Sequence, residues 1–282
     1  MDAQELQLSQ HHQIVMNRFA AAGLADERVV AAFLGGSYAR GTADEYSDLD
    51  FGLIITDEAY DDFLAGREAF LHRLGEPVFL EDFQEYGFDL VNFIFTGGTE
   101  GEFALGRESH FTRMHGGPYR VLLDKKGILA GAVFPWHEPA QTEQVETLRS
   151  LVYWFWHDLS HHFITPMARG QLWSAYGALE DLRRTCVNLA RLRQNFQAAA
   201  EGYEKLEQAV PVEQLAPLQA TFCPLERDAM LQTALVIVRY YQELAPPLAQ
   251  AHGIPYPAGL YRVVYDRLEQ LCNARTKRFG SD

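Results

Sequence analysis

Chemistry-bearing residues gather in one short stretch, Leu34-Gly35-Gly36-Ser37 followed, after ten intervening residues, by Asp48-Leu49-Asp50-Phe51. Glycines let a backbone come close to a phosphate, and backbone N–H groups with a serine hydroxyl can cradle its oxygens. Asp48 and Asp50 open an apolar run, Leu49 to Thr56. Side chains two apart on a strand share a face, so these carboxylates would repel each other without a cation between them. Hard oxygen ligands completed by substrate phosphates describe a Mg2+ site. A phosphate-cradling turn beside such a site suits phosphoryl or nucleotidyl transfer, where positioning and charge neutralisation do most of the work. A lone Asp-x-Asp would read as a solvated strand end; the ordered series of strand, Gly-Gly-Ser, turn, Asp-x-Asp and strand is far rarer.

The elements that must hold these residues follow from patterning. Helical spacing of apolar residues predicts a helix over 5–22. Arg28 to Leu34 is apolar and β-branched and ends at Gly35-Gly36, which predicts a strand running into a glycine turn. Ser37 to Asp44 reads as a short turn or helix, Leu49 to Thr56 as a strand, Glu58 to Leu74 as a helix. Further strands are expected over 77–83, 88–95 and 119–123. Val133 to Pro139 reads as a linker, because its prolines break regular structure. Long helical patterns follow over 141–164, 169–200, 202–210, 225–252 and 257–275. Mixed elements followed by helices alone predict two domains, 1–137 and 138–282.

The motif apolar-Gly-Gly-Ser, about ten residues, then Asp-x-Asp-apolar resembles the signature of the DNA polymerase β-like nucleotidyltransferase superfamily. Here it stands as Gly35-Gly36-Ser37 and Asp48-Leu49-Asp50-Phe51. No GxxxxGK[ST] is present, so the turn is not a P-loop. Glu85-Tyr86-Gly87, the strand after it, and Gly101-Glu102-Phe103 resemble the small antibiotic nucleotidyltransferases, the lincosamide enzymes first and the streptomycin/spectinomycin adenylyltransferases more distantly. Segments around Gly170 to Tyr176, Arg191 and Leu231 to His252 resemble the helical half of the lincosamide group. The resemblance implies an α+β nucleotidyltransferase domain with a mixed sheet, followed by an all-α helical-bundle domain, with the active site in the cleft between them.

Further site residues come from the same resemblance. The glutamate of Gly-Glu-aromatic serves the family as general base, and Glu102 matches it. The glycine-rich segment before it suggests a mobile carboxylate; a surface glutamate opening a helix is the bland alternative. Many superfamily members place a third acid on the metal face, and Asp89, in the 88–95 strand, is that candidate; a buried partner or a place at a strand end is its alternative. Arg40 could approach a triphosphate or pair with Asp44. Gly35, Gly36, Ser37 and Arg40 are thus the nucleotide-binding candidates, Asp48, Asp50 and Asp89 the metal ligands, and Glu102 with Asp48 and Asp50 the catalytic set.

Other clusters carry less. Arg183, Arg184, Arg191 and Arg193 could neutralise a triphosphate, or form a solvated face with Glu180 and Asp181. His157 and His161 have the spacing of an HExxH zinc site, but Asp158 replaces the glutamate and no third ligand is apparent; capping or packing is favoured. Trp154, Trp156, Trp173 and Tyr176 could line an acceptor pocket, with helical core the default.

Composition bounds the function. The chain has 282 residues, 24 Lys and Arg against 38 Asp and Glu, and a net charge of −14. Eight carboxylates against one arginine lie between Arg40 and Asp62, for the most part a solvated face. Such acidity argues against nucleic-acid or anionic-membrane binding, which need a basic field, and suits a cationic small acceptor. Three scattered cysteines form no CxxC pair, which excludes a disulfide scaffold or zinc ribbon. No signal-like start or membrane-length apolar run is present, so a soluble cytoplasmic protein is expected. The expected reaction is Mg2+-dependent transfer of AMP from ATP to a hydroxyl of a lincosamide or aminoglycoside, with one or two Mg2+. The alternatives are a nucleotidyltransferase of protein or RNA, as in toxin–antitoxin systems, and a catalytically silent nucleotide-binding module. The sequence leaves the choice between monomer and homodimer open.

Overall fold

The computed structural model describes residues 10–83, 88–135, 140–198 and 201–274. The chain divides into two compact units, Met1–His137 and Glu138–Asp282. Parts of the expected first helix (5–9) and linker (136–139) lie outside the described residues, as do residues 199–200 and 275 of two expected helices.

The first unit runs α1 (Gln10–Ala25), β1 (Val29–Leu34), α2 (Gly36–Arg40), β2 (Leu49–Ile55), α3 (Tyr60–Ala65), α4 (Arg67–Leu71), β3 (Pro77–Phe83), β4 (Asp89–Phe95), β5 (Glu100–Arg107) and β6 (Arg120–Asp124). The six strands form one sheet in the order β3-β4-β5-β2-β1-β6. Only the central β2–β5 pair is parallel; the others are antiparallel. The sheet is therefore mixed, as the family resemblance implies.

Each strand's alternation sorts its residues between two faces. Leu49, Phe51, Leu53 and Ile55 of β2, Phe103 and Leu105 of β5, and Val91, Phe93 and Phe95 of β4 join Phe19 of α1 and Phe63 and Phe70 of the following helices in one buried core. Phe33, Ile54, Met114, Leu129 and Phe134 form a smaller core on the opposite face. Asp50 and Glu102, alternating with these core residues, emerge on that second face.

The strand β5 departs from the sequence reading, which made this segment a mobile glycine-rich stretch or a helix start. Gly101 is there because β2 comes too close for a side chain: a β-carbon would sit 2.2 Å from the Leu49 carbonyl oxygen. Gly106 likewise makes room for Met114, whose sulfur would lie 2.3 Å from a β-carbon. The glycines that resemble loop punctuation are close approaches inside a sheet. The expected 58–74 helix is broken into a 3-10 turn (Asp57–Ala59), α3 and α4, with Gly66 at the break.

The second unit is helical throughout: α5 (Gln141–Asp158), a π-helix (Leu159–Ile164), α6 (Thr165–Ala168), α7 (Leu172–Gln194), α8 (Leu206–Ala209), α9 (Val212–Gln219), α10 (Arg227–Ala251) and α11 (Ala258–Asn273). Leu179, Leu182, Cys186 and Leu189 of α7 and Ile237, Tyr241 and Leu244 of α10 are fully or almost fully buried in its core. Phe155 stacks on Tyr241 with ring centroids 3.7 Å apart. Among the described residues no helix is long and apolar enough to cross a membrane.

Candidate active site

Strand β1 delivers the chain to Gly35, whose N–H donates to the Asp50 carbonyl at 2.9 Å. That bond ties the glycine turn to the start of β2. Gly36 follows with φ +52°, a left-handed conformation that favours glycine. Space gives a second reason, since a β-carbon on Gly36 would lie 1.5 Å from Asp50 Oδ2. The Asp50 carboxylate thus rests against the bare α-carbon of the turn. Ser37, next in α2, has a buried Oγ that meets no hydrogen-bond partner among the described residues. Buried hydroxyls are rarely left this way, so this one fits a ligand oxygen.

The parallel register of β2 and β5 sets Asp50 opposite Glu102, and both line an open cavity of about 1090 Å³ in the first unit. Gly36 and Arg40 line it too. Asp48 is exposed at the entry to β2, close enough to act on Glu102. The protein around Glu102 and then the charge of Asp48 raise its carboxyl above the ordinary range. The turn, two aspartates and a glutamate of the sequence reading therefore converge at one end of the sheet.

Asp89 does not join them. It pairs in register with Leu105 of β5, on the face opposite Glu102. There Tyr60 Oη donates to Asp89 Oδ2 at 2.6 Å and to the Leu105 carbonyl at 3.2 Å. The metal-ligand role expected for Asp89 is not what this placement provides; strand parity turns it toward Tyr60 instead. Glu85-Tyr86-Gly87 lie outside the described residues.

Sequence reasoning missed the remaining wall. Phe88, Leu90 and Ala104 supply apolar surface, and Thr112, Arg113, Met114, His115 and Gly116 form one side. Arg40 and Arg113 are exposed, and neither enters an ion pair among the described residues. His115 is hydrogen-bonded through Nε2 to the Pro118 carbonyl at 2.9 Å. It packs on Gly35, where a β-carbon would lie 2.6 Å from its ring. Burial first, and then the charge of Arg40, lower its pKa against the opposing hydrogen bond to Pro118. The available signal was an unassigned arginine beside a histidine and a Gly-Gly-Pro turn in an acidic chain.

The other clusters resolve into structure. Arg183 is buried, ion-paired with Glu180 and donating to Thr221 Oγ1 at 2.8 Å and the Thr221 carbonyl at 2.7 Å. Arg191 is buried and paired with Glu201 at 2.8 Å. Arg184 sits over Tyr203, and Arg193 donates to Gln214. These arginines hold the helical unit together. Trp156 is core, whereas Trp154 and Trp173 are exposed, and Tyr176 donates to the Cys223 carbonyl. In the acidic run, Asp61 pairs with Arg107 and Asp62 with Arg28.

A mixed sheet that sets a glycine turn against strand carboxylates, followed by a helical unit, defines the nucleotidyltransferase class. Within it, the streptomycin adenylyltransferase family model matches residues 10–271, and the chain belongs to that family. It is an adenylyltransferase; ATP is the co-substrate that this family implies. Its family is the one its motifs resemble more distantly than the lincosamide enzymes. The chain is also similar to the crystal structure of an aminoglycoside 6-adenyltransferase from Bacillus subtilis, at 15% identity and TM-score 0.43, over 92% of this chain and 96% of that one. A search of curated protein sequences finds no match.

Proposed function

We propose that the enzyme transfers AMP from ATP to a hydroxyl of a cationic aminoglycoside antibiotic of the streptomycin type. The observation that carries this reading is the in-register pair Asp50 and Glu102 lining one cavity beside the Ser37 hydroxyl, which has no partner among the described residues. Carboxylates of Asp48 and Asp50 with an adjoining phosphate site are the donor set that a hard divalent cation such as Mg2+ takes. Bound there, Mg2+ would neutralise charge on the triphosphate.

The chain's own residues divide the remaining work. Ser37 Oγ and the Gly36 turn hold terminal phosphate oxygens. Arg40 and Arg113, without carboxylate partners among the described residues, add positive charge at the same cavity. Glu102 accepts the proton of the acceptor hydroxyl as that oxygen bonds to the α-phosphorus. The bond from the α-phosphorus to the bridging oxygen breaks, and pyrophosphate leaves. A raised carboxyl pKa suits Glu102 to this role, since a base works best near the operating pH. The acidic surface attracts a polycationic acceptor and raises its local concentration.

A panel of nucleoside triphosphates crossed with aminoglycosides and lincosamides, read by pyrophosphate release, tests the reading. ATP with an aminoglycoside should give turnover that requires Mg2+. Turnover with lincosamides alone would reassign the acceptor, and none with any antibiotic would refute the proposed substrate class.

A further inference from the structure

The π-helix that follows α5 carries a second cluster of ligand-type side chains, remote in sequence from the nucleotide-site residues. An α-helix would place His157 and His161 one turn apart and leave the sequence reading without a third ligand. Asp158 and His162 keep the i,i+4 spacing of any helix, and the wider turn adds His157, five residues before His162, with its ring 5.7 Å away. The Thr165 N–H returns to the Ser160 carbonyl, an i+5 bond, and the chain from 159 to 164 is wound in this register. His157, Asp158 and His162 then each offer a ligand atom within 4.8 Å of the others. Among the described residues this is the one such group of three.

The contacts are close to those a metal needs. His157 Nδ1 lies 3.1 Å from Asp158 Oδ1, and His162 Nε2 lies 3.9 Å from the same oxygen. Ligands bonded at 2.0–2.1 Å in a tetrahedron stand about 3.4 Å apart, so small side-chain rotations complete the site. The side chains are free to make them, being 48%, 35% and 57% exposed for His157, Asp158 and His162. His161 is adjacent, its ring 5.5 Å from His157 and 4.8 Å from His162. Trp154 packs edge-on against His157 at 5.1 Å and restricts that ring. The nearby Arg267 guanidinium is engaged by Ser160 Oγ. π-Turns inside α-helical runs recur at functional sites.

We infer that His157, Asp158 and His162, gathered by the π-turn, bind a divalent transition-metal ion of the zinc type. Two imidazoles and one carboxylate favour such an ion over Mg2+ or Ca2+, which take all-oxygen sets. The site pins the end of α5 to the turn after it and leaves an outward position for water or a further ligand. It uses none of the proposed Mg2+ carboxylates and does not depend on the reaction assigned to them.

Zn2+ titration calorimetry on the full chain, stripped of metal by chelator and free of any affinity tag, tests the inference. Parallel titrations use His157→Ala/His162→Ala and Asp48→Asn/Asp50→Asn. The exposed histidines can be replaced without loss of fold, which circular dichroism checks. The expected result is one equivalent of Zn2+ bound by the wild type and by the aspartate variant, with affinity at least about tenfold weaker in the histidine variant. Co2+ in place of Zn2+ should give d–d absorption that the histidine variant lacks. Equal Zn2+ uptake by the histidine variant, loss of uptake in the aspartate variant, or no uptake by the wild type would each overturn it.

Discussion

The carboxylate of Asp50 lies against the α-carbon of Gly36, so close that a β-carbon would stand 1.5 Å from Oδ2. The glycine is therefore required twice, by its φ of +52° and by its neighbour. Gly36→Ala should cost about 1–2 kcal/mol for the left-handed backbone alone. It should also push Asp50 from its place and lower transfer by more than about tenfold. A thermal melt beside a pyrophosphate-release assay checks both; an unchanged rate would mean that Asp50 need not sit where it does.

Asp48→Asn and Asp50→Asn each remove a charged oxygen from the proposed Mg2+ site. Turnover should fall by more than about 10²-fold in either variant, with the fold retained, because relief of carboxylate repulsion does not destabilise. Steady-state rates across a Mg2+ series decide it, and near-wild-type rates would remove the pair from the site.

Glu102→Gln keeps size and polarity but takes no proton. Binding of Mg2+ and ATP should be nearly unchanged while transfer falls about 10²–10⁴-fold. The wild-type rate should drop as pH falls through a value above the ordinary carboxylate range, because burial and Asp48 favour the protonated form. The variant should lack that acidic limb. Calorimetric nucleotide titration with single-turnover transfer over a pH series measures all three.

Asp89 is held by Tyr60 on the far face, so its replacement should act on stability rather than chemistry. Tyr60→Phe removes a hydrogen bond to a charged group, a loss of about 1.5–3 kcal/mol. Nucleotide affinity should stay within about twofold. A large loss of ATP affinity in Asp89→Asn, with an unchanged melting temperature, would restore Asp89 to the metal site.

His12 is 6% exposed and hydrogen-bonded through Nδ1 to the Tyr38 hydroxyl at 2.6 Å. Burial, followed by repulsion from His11, lowers its pKa from 6.5 against the opposing pull of Asp48. The unfolded chain then binds a proton at a pH where the folded chain does not. This contribution to stability is complete above about pH 6.5 and is lost as pH falls through the window below it. The melting temperature of the wild type should fall more between pH 7.5 and 5.5 than that of His12→Gln. Parallel pH dependences would show that His12 carries none of the effect.

The legible part of the site was the part written locally. Gly36, Ser37, Asp48 and Asp50 lie on one strand–turn–strand unit, and spacing alone places them. Glu102 came from resemblance, and its strand was hidden by Gly101 and Gly106, whose small size answers to Leu49 and Met114 elsewhere in the chain. Asp89 was assigned to a face that the alternation of its own strand excludes once β5 is paired. Arg113 and His115 have no local pattern; only tertiary folding brings His115 to Gly35 and Arg113 to the same cavity. Of the arginines of α7, Arg183 has a local partner in Glu180, which the sequence offered, whereas Thr221 and Glu201, which complete the burial of Arg183 and Arg191, lie outside the helix.

The parallel seam between β2 and β5 also determines which changes in chain length the enzyme tolerates. Residues added in the connections between Ile55 and Pro77, outside the paired strands β3 and β4, enlarge a crossover whose closure cost grows only slowly with length. One residue inserted between Glu102 and Phe103, with Phe103 and Leu105 held by the core, would turn Glu102 to the face of Asp89 and Tyr60. Relatives that share this chemistry are therefore expected to differ freely in the crossover. Within β5, an odd insertion or deletion between the glutamate and the anchored Phe103 should be absent from them.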